Sequence, residues 1–165
     1  MKKKKTYYPR SKIENVISKI KESGLFDSFK KYEICGSYRR GAKQSSDIDI
    51  VYVADKDFDI KSSLLEKGYQ NSFSGFADQI YVDDVCVEFF RTSEVNYWLN
   101  VLFWTGSAVS NYTLKASYFS HGFLISPHGI YDLERPGLGK SKYSFKNEQE
   151  IYNLIGKEYI HPHRR

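Results

Sequence analysis

Ile13, Val16, Ile17 and Ile20, followed by Leu25, recur at intervals of three and four residues in a polar stretch that opens at Ser11. That spacing lines one face of a helix, and Gly24 is its natural stop. Residues 1–10, ahead of it, read as a mobile basic arm. Residues 32–35 predict a short strand running into Gly36-Ser37, and residues 41–46 a loop. Asp47-Ile48-Asp49-Ile50-Val51-Tyr52-Val53 then alternates acidic and apolar side chains with a period of two, the pattern of a half-buried strand. Residues 57–67 predict a helix ended by Gly68. Residues 77–82 and 85–90 predict two strands around Asp83-Asp84, a hairpin. Residues 94–102 and 110–120 predict helices on either side of a break at Thr105-Gly106-Ser107. Pro127, Gly129, Pro136, Gly137 and Gly139 mark a loop-rich tail before a last helix at residues 148–155. The pattern is α+β, with strands too few and irregular for a doubly wound sheet and no internal repeat.

Composition narrows the class without naming a chemistry. The chain has 165 residues, 41% hydrophobic and 27% charged, which suits one folded domain or two small ones packed together. No apolar run approaches the roughly 20 residues that span a bilayer. The run Lys2, Lys3, Lys4, Lys5 leads into a polar segment rather than an apolar signal core, so an intracellular protein, not a secreted one, is expected. Cys35 and Cys86 are too few for a disulfide scaffold and read as reduced core thiols. The net charge of +5 is unevenly placed: residues 1–31 carry ten basic and three acidic side chains, residues 47–94 four basic and eleven acidic. An acidic centre between basic ends suits a divalent-metal site working on a polyanion, and it also suits an unevenly charged solvated surface. The motifs have to decide.

Asp47 and Asp49 leave the same face of their strand, while Ile48, Ile50 and Tyr52 occupy the other. Side-by-side carboxylates repel unless a cation lies between them, and hard oxygen ligands suit Mg²⁺. A third carboxylate on a neighbouring strand would complete a two-ion clamp for phosphoryl transfer. Glu88 is the candidate, being the only acid in residues 85–90, with Asp83 and Asp84 next. Asp-x-Asp alone is most often a solvated strand face. What raises it is Gly36-Ser37-Tyr38-Arg39-Arg40-Gly41 immediately before: a turn with glycine freedom, a hydroxyl and an arginine is a phosphate cradle. His121, His128, His161 and His163 have no metal-ligand spacing and read as surface or loop residues.

Gly36-Ser37 through Arg40-Gly41, with Asp47-x-Asp49 ten and twelve residues after Ser37, resembles the nucleotidyltransferase signature of family X DNA polymerases. Phe103-Trp104-Thr105-Gly106-Ser107 resembles that family's aromatic-aromatic-Thr-Gly-Ser segment, and the likeness extends through Gly122-Phe123 to Tyr159-Ile160-His161-Pro162-x-Arg164. The resemblance implies a nucleotidyltransferase palm at residues 11–97 and a small mixed nucleotide- and DNA-binding subdomain at residues 98–165. With about 30 residues before the cradle, neither a lyase nor a helix-hairpin-helix domain is expected, as in the family's minimal viral members. It implies that Ser37 and Arg40, with Gly36, bind the phosphates of a deoxynucleotide. Asp47, Asp49 and Glu88 would be catalytic and hold two Mg²⁺ ions, with Mn²⁺ as a substitute. Phe103, Trp104 and Gly106 would line the sugar pocket, Asn111 would contact the base, and Lys115 would reach the template strand. Arg39 carries over weakly, a surface ion pair serving it equally well.

The sequence departs from that pattern in places. Glu88 stands where the family usually has Asp, Cys86 where it often has Arg, Phe103 where it usually has Tyr, and Lys115 where the repair members have Arg. The expected activity is a gap-filling, repair-type DNA polymerase acting as a monomer on primer-template or gapped DNA, with no membrane partner. A small nucleotidyltransferase acting on an RNA end, a protein or a small molecule is the alternative, followed by an inactive nucleic-acid-binding module. DNA affinity is expected from Lys2, Lys3, Lys4 and Lys5, with Arg10 and Lys12 beside them, or failing these from Lys115, Lys140, Lys142 and Lys146.

Overall fold

The computed structural model describes residues 5–73, 75, 77–134 and 143–165. Strand β1 (Tyr8–Pro9) leads directly into helix α1 (Arg10–Glu22), whose Ile13, Val16, Ile17 and Ile20 are buried. The helix turns out through Gly24 at φ 73°, a left-handed conformation that favours glycine, into a 3₁₀ turn at Leu25–Ser28. Strand β2 (Lys31–Ile34), the one-turn helix α2 (Gly36–Arg39), the short strand β3 (Gln44–Ser45) and strand β4 (Asp47–Val53) follow. Helix α3 (Ile60–Glu66) begins three residues later than the pattern predicts. Asp59 is its N-cap, accepting hydrogen bonds from the Lys61 and Ser62 amides, and a capping residue lies outside the helix it starts.

Strands β5 (Ser72–Phe73), β6 (Asp78–Val82) and β7 (Val85–Arg91) complete a five-stranded sheet of order β2-β4-β7-β6-β5. The hairpin at Asp83-Asp84 is as expected, both residues taking positive φ (49° and 67°) as a tight two-residue connection demands. The β4 to β7 pairing is parallel, with Asp47 opposite Cys86 and Asp49 opposite Glu88. Nothing in the local pattern announces this, because strand direction is set by the crossover through α3, β5 and β6.

One face of the sheet is sealed by α1 and α3, which bury Ile48, Ile50 and Tyr52 of β4 with Val85, Val87 and Phe89 of β7. On the other face, helix α4 (Tyr97–Thr105) lays Tyr97 and Val101 over Val51, Val53 and Phe90. Thus β4 is not half-buried along its whole length: only the two acids at its start, Asp47 and Asp49, keep partial exposure. Helix α4 starts and ends three residues later than predicted, and it is apolar nearly all round because it is a shared wall. Its Leu99, Leu102 and Phe103 join a second core with Leu114 and Tyr118 of helix α5 (Ala108–Ser120) and Ile151, Tyr152 and Ile155 near the C-terminus. The tail expected as loop holds a hairpin, β8 (Phe123–Ser126) and β9 (Gly129–Asp132), ahead of helix α6 (Glu148–Asn153) and a 3₁₀ turn at Pro162–Arg164.

The far end of the expected basic arm belongs to the fold. β1 pairs with β3, the Tyr8 hydroxyl donates to the Asp84 carbonyl at 3.0 Å, and the Arg10 guanidinium lies 4.1 Å over the Tyr38 ring. Lys2, Lys3, Lys4, Lys140 and Lys142 lie outside the described residues, as do Pro136, Gly137 and Gly139.

Candidate active site

The face of the sheet that α4 covers runs out at Asp47 and Asp49, and β7 and β6 extend that uncovered end with period-two regularity. Cys86 and Glu88 point the same way from β7, and Gln79 and Tyr81 from β6. Because β4 and β7 are parallel and in register, Asp49 and Glu88 are direct neighbours across a strand spacing of about 4.8 Å. The Asp49 carboxyl is pushed up to about 7 by burial first, then by the negative charges of Asp47 and Glu88, against the pull of Lys5 and Arg40. Two neighbours engage the other acids. The Lys5 ammonium lies 2.9 Å from Asp47 Oδ2, and the Gln79 amide donates to Glu88 Oε1. Among the described residues no set of three acidic, thiol or imidazole side chains converges as a ready-made cation cage. The donor set nevertheless fits a hard divalent ion: oxygen ligands from two adjacent strands, a central carboxyl raised by its neighbours, and a cationic group already drawn to Asp47.

The cradle is built against these acids. Gly36 takes φ +61°, and a Cβ placed there would lie 2.0 Å from Asp49 Oδ2, so any side chain would displace the carboxylate. The Cys35 amide donates to the Asp49 carbonyl at 2.7 Å, which fixes the start of α2 to β4. Ser37 Oγ donates to Ser45 Oγ at 2.7 Å. Arg40 donates through Nη1 to the Thr105 carbonyl, bridging from the sheet to the end of α4, where the Gly106-Ser107 peptide is cis. Gly106 is needed there as well, since a Cβ would approach Arg40 Nη1 to 3.2 Å at a φ of +69°. Trp104 stacks on Phe90 with ring centroids 3.6 Å apart. Asp47, Asp49, Ser37, Arg40, Lys5 and Trp104 are among the walls of one open cleft of about 330 Å³.

Of the other residues singled out in the sequence, Phe103 is 8% exposed and belongs to the C-terminal core rather than to the cleft wall. Asn111 donates to the Phe103 carbonyl at 2.8 Å, and the exposed Lys115 holds its ammonium 5.2 Å from the Phe103 ring centroid. Asn111 and Lys115 of α5 thus both meet Phe103 of α4, across the Thr105-Gly106 break. Asp83 pairs with Lys19 at 2.6 Å at the hairpin tip, whereas Glu88 stands opposite Asp49. Cys35 is a buried thiol as expected, but Cys86 is only half-buried and sits opposite Asp47.

Arg39 is not on the surface. It is 16% exposed and binds Glu33 at 3.0 Å, Thr105 Oγ1 at 2.9 Å and Glu148 at 2.7 Å. Glu148, 3% exposed, also takes Arg165 at 2.8 Å and the Tyr159 hydroxyl at 3.1 Å. Burial alone would raise the Glu148 carboxyl, but the hydrogen bond from Arg39 and the charge of Arg165 hold it below its ordinary value. Sequence reasoning missed Glu148. Its one local signal is its place as the first residue of a helix capped by Asn147, which says nothing of two arginines far away in the chain.

Residues 8–99 match the family model described as DNA polymerase beta palm, and residues 100–165 match the one described as DNA polymerase beta thumb. The boundary between the matches falls inside α4, the helix that serves both cores.

Proposed function

The chain belongs to the DNA polymerase beta family, with that family's palm and thumb, and is thus a nucleotidyltransferase of the polymerase type; from this premise we propose that it is a metal-dependent DNA polymerase that extends a primer 3′-hydroxyl in short gaps. The observation that carries the reading is the juxtaposition of Asp47, Asp49 and Glu88 on adjacent parallel strands with the Gly36-Ser37 cradle and Arg40. Divalent ions held by the three carboxylates would acidify the 3′-hydroxyl and neutralise charge on the α-phosphate and the departing pyrophosphate. Ser37 and Arg40 bind the β and γ phosphates, and Gly36 lets the backbone come close to both phosphate and Asp49. Trp104, fixed by its stack on Phe90, forms the wall against which the sugar lies. Asn111 and Lys115 face the base pair and the template from α5. No helix among the described residues is long and apolar enough to cross a membrane.

Primer extension on gapped, open-template and single-stranded DNA, each deoxynucleotide offered singly with Mg²⁺ or Mn²⁺, tests the proposal. Incorporation that follows the template and is fastest in a short gap is the expected result. A folded protein that transfers nucleotides to RNA ends, protein or small molecules but extends no DNA primer overturns it.

A further inference from the structure

Lys5 occupies a position that no feature of its local sequence requires. Three residues downstream the chain is fastened: Tyr8 and Pro9 pair with Ser45 and Gln44, and the Tyr8 hydroxyl holds the hairpin turn at Asp84. Three residues of extended chain reach about 10 Å, so the Lys5 backbone is held near the mouth of the cleft that its side chain helps to line. There it rests 2.9 Å from Asp47 Oδ2, with the lysine side chain 61% and the aspartate 25% exposed. The same cleft is walled by Ser37 and Arg40. A solvent-facing pair of this kind is weak and exchanges readily. Lysine is a compact charge on a four-carbon stem, suited to changing partners without rearranging the backbone.

A divalent ion on Asp47 competes with the lysine ammonium for the charge of that carboxylate. Once the ion is on Asp47, repulsion drives the ammonium off, and the densest negative charge within its tether is a triphosphate lying on Ser37 and Arg40. We propose that Lys5 is a nucleotide-positioning residue with two partners, holding Asp47 in the metal-free protein and passing to the triphosphate when metal and nucleotide bind. The inference rests on the metal- and nucleotide-binding reading above. It makes Lys5 part of the active site rather than of a solubilising tail.

Two measurements on the full chain test the exchange. The first titrates Mn²⁺ alone, without nucleotide, reading free Mn²⁺ by electron paramagnetic resonance. Lys5→Met should tighten binding by up to about fivefold, because the competitor for Asp47 is gone. The second measures binding of the templated deoxynucleotide to a complex with a dideoxy-terminated primer. Here Lys5→Met should weaken binding about tenfold, the loss of one charge-assisted contact, and Lys5→Arg should restore most of it. Lys30→Met removes the same charge from an exposed pair with Asp55 at 2.8 Å and should change neither value. A Lys5→Met protein that matches wild type in either measurement overturns the exchange, as does a Lys30→Met protein that shifts as far as Lys5→Met. Wild type that binds no Mn²⁺, with Asp47→Asn indistinguishable from it, overturns the reading of the metal site itself, and the inference falls with it.

Discussion

Arg39 and Arg40 are neighbours in the chain and serve two opposite electrostatic arrangements. Arg40 faces the palm cleft beside Asp47 and Asp49, where the charges of Asp47 and Glu88 raise the Asp49 carboxyl and those of Lys5 and Arg40 lower it. Arg39 faces the junction of palm and thumb, where its charge and that of Arg165 close on the buried Glu148 with a tyrosine hydroxyl filling in. In the cleft, like charges are held together against their repulsion, and burial together with that repulsion lifts the Asp49 carboxyl to about 7. At the junction, opposite charges are matched, and the Glu148 carboxyl is held down. The contrast separates two uses of buried charge. Crowded acids favour positive charge between them, whereas matched pairs fasten one subdomain to another.

The sharpest way to break the comparison is Asp49→Asn. Activity should fall by about three orders of magnitude or more, because phosphoryl transfer draws nearly all its catalysis from positioned charge. Thermal unfolding of the metal-free variant at neutral pH should move to higher temperature, since a neutral amide relieves the crowding. A variant that is both inactive and destabilised would mean that the acids are not under strain. Glu88→Gln should cost several orders of magnitude in single-turnover rate with the fold intact, and Glu88→Asp should keep part of it. A near-wild-type rate for Glu88→Gln would remove Glu88 from the group.

Glu148→Ala should behave in the opposite sense. It leaves Arg39 and Arg165 buried without their shared partner, and removing one member of such a set costs about 3–5 kcal/mol in denaturant unfolding. The pH dependence follows from the lowered carboxyl. Above its ordinary value of 4.5, folded and unfolded Glu148 are both ionised and the contribution to stability is complete. As pH falls below that value, the unfolded chain takes up a proton that the folded one refuses, and stability declines until the folded carboxyl protonates too. Wild type should therefore lose stability between pH 4.5 and lower pH more steeply than Glu148→Gln; parallel curves would show that the junction is not held by this charge. The smallest effect concerns DNA. Deleting residues 2–4, which keeps Lys5, should flatten the slope of log affinity against log salt by up to about 2–3 if all three lysines meet phosphates. An unchanged slope would assign the grip to Lys115 and other thumb residues.

Much of this was written in local pattern. The period-two alternation of residues 47–53 put Asp47 and Asp49 on one face, the single acid of the β7 segment marked Glu88, and Gly36-Ser37 marked the cradle, because each depends on geometry repeating over a few residues. Helix α1 and the Asp83-Asp84 turn were legible for the same reason. Three things needed the folded chain. The parallel pairing that sets Asp49 beside Glu88 depends on a crossover of some thirty residues between the strands. Phe103 is in a core because α4 runs on to Thr105 and is buried from both sides. Finally, the partners of Arg39 and Lys5 lie 109 and 42 positions away at Glu148 and Asp47. A charge carries no periodicity that names its partner, so the sequence determined which side chains could do chemistry, and only tertiary packing decided which charges were matched and which were left to attract a cation.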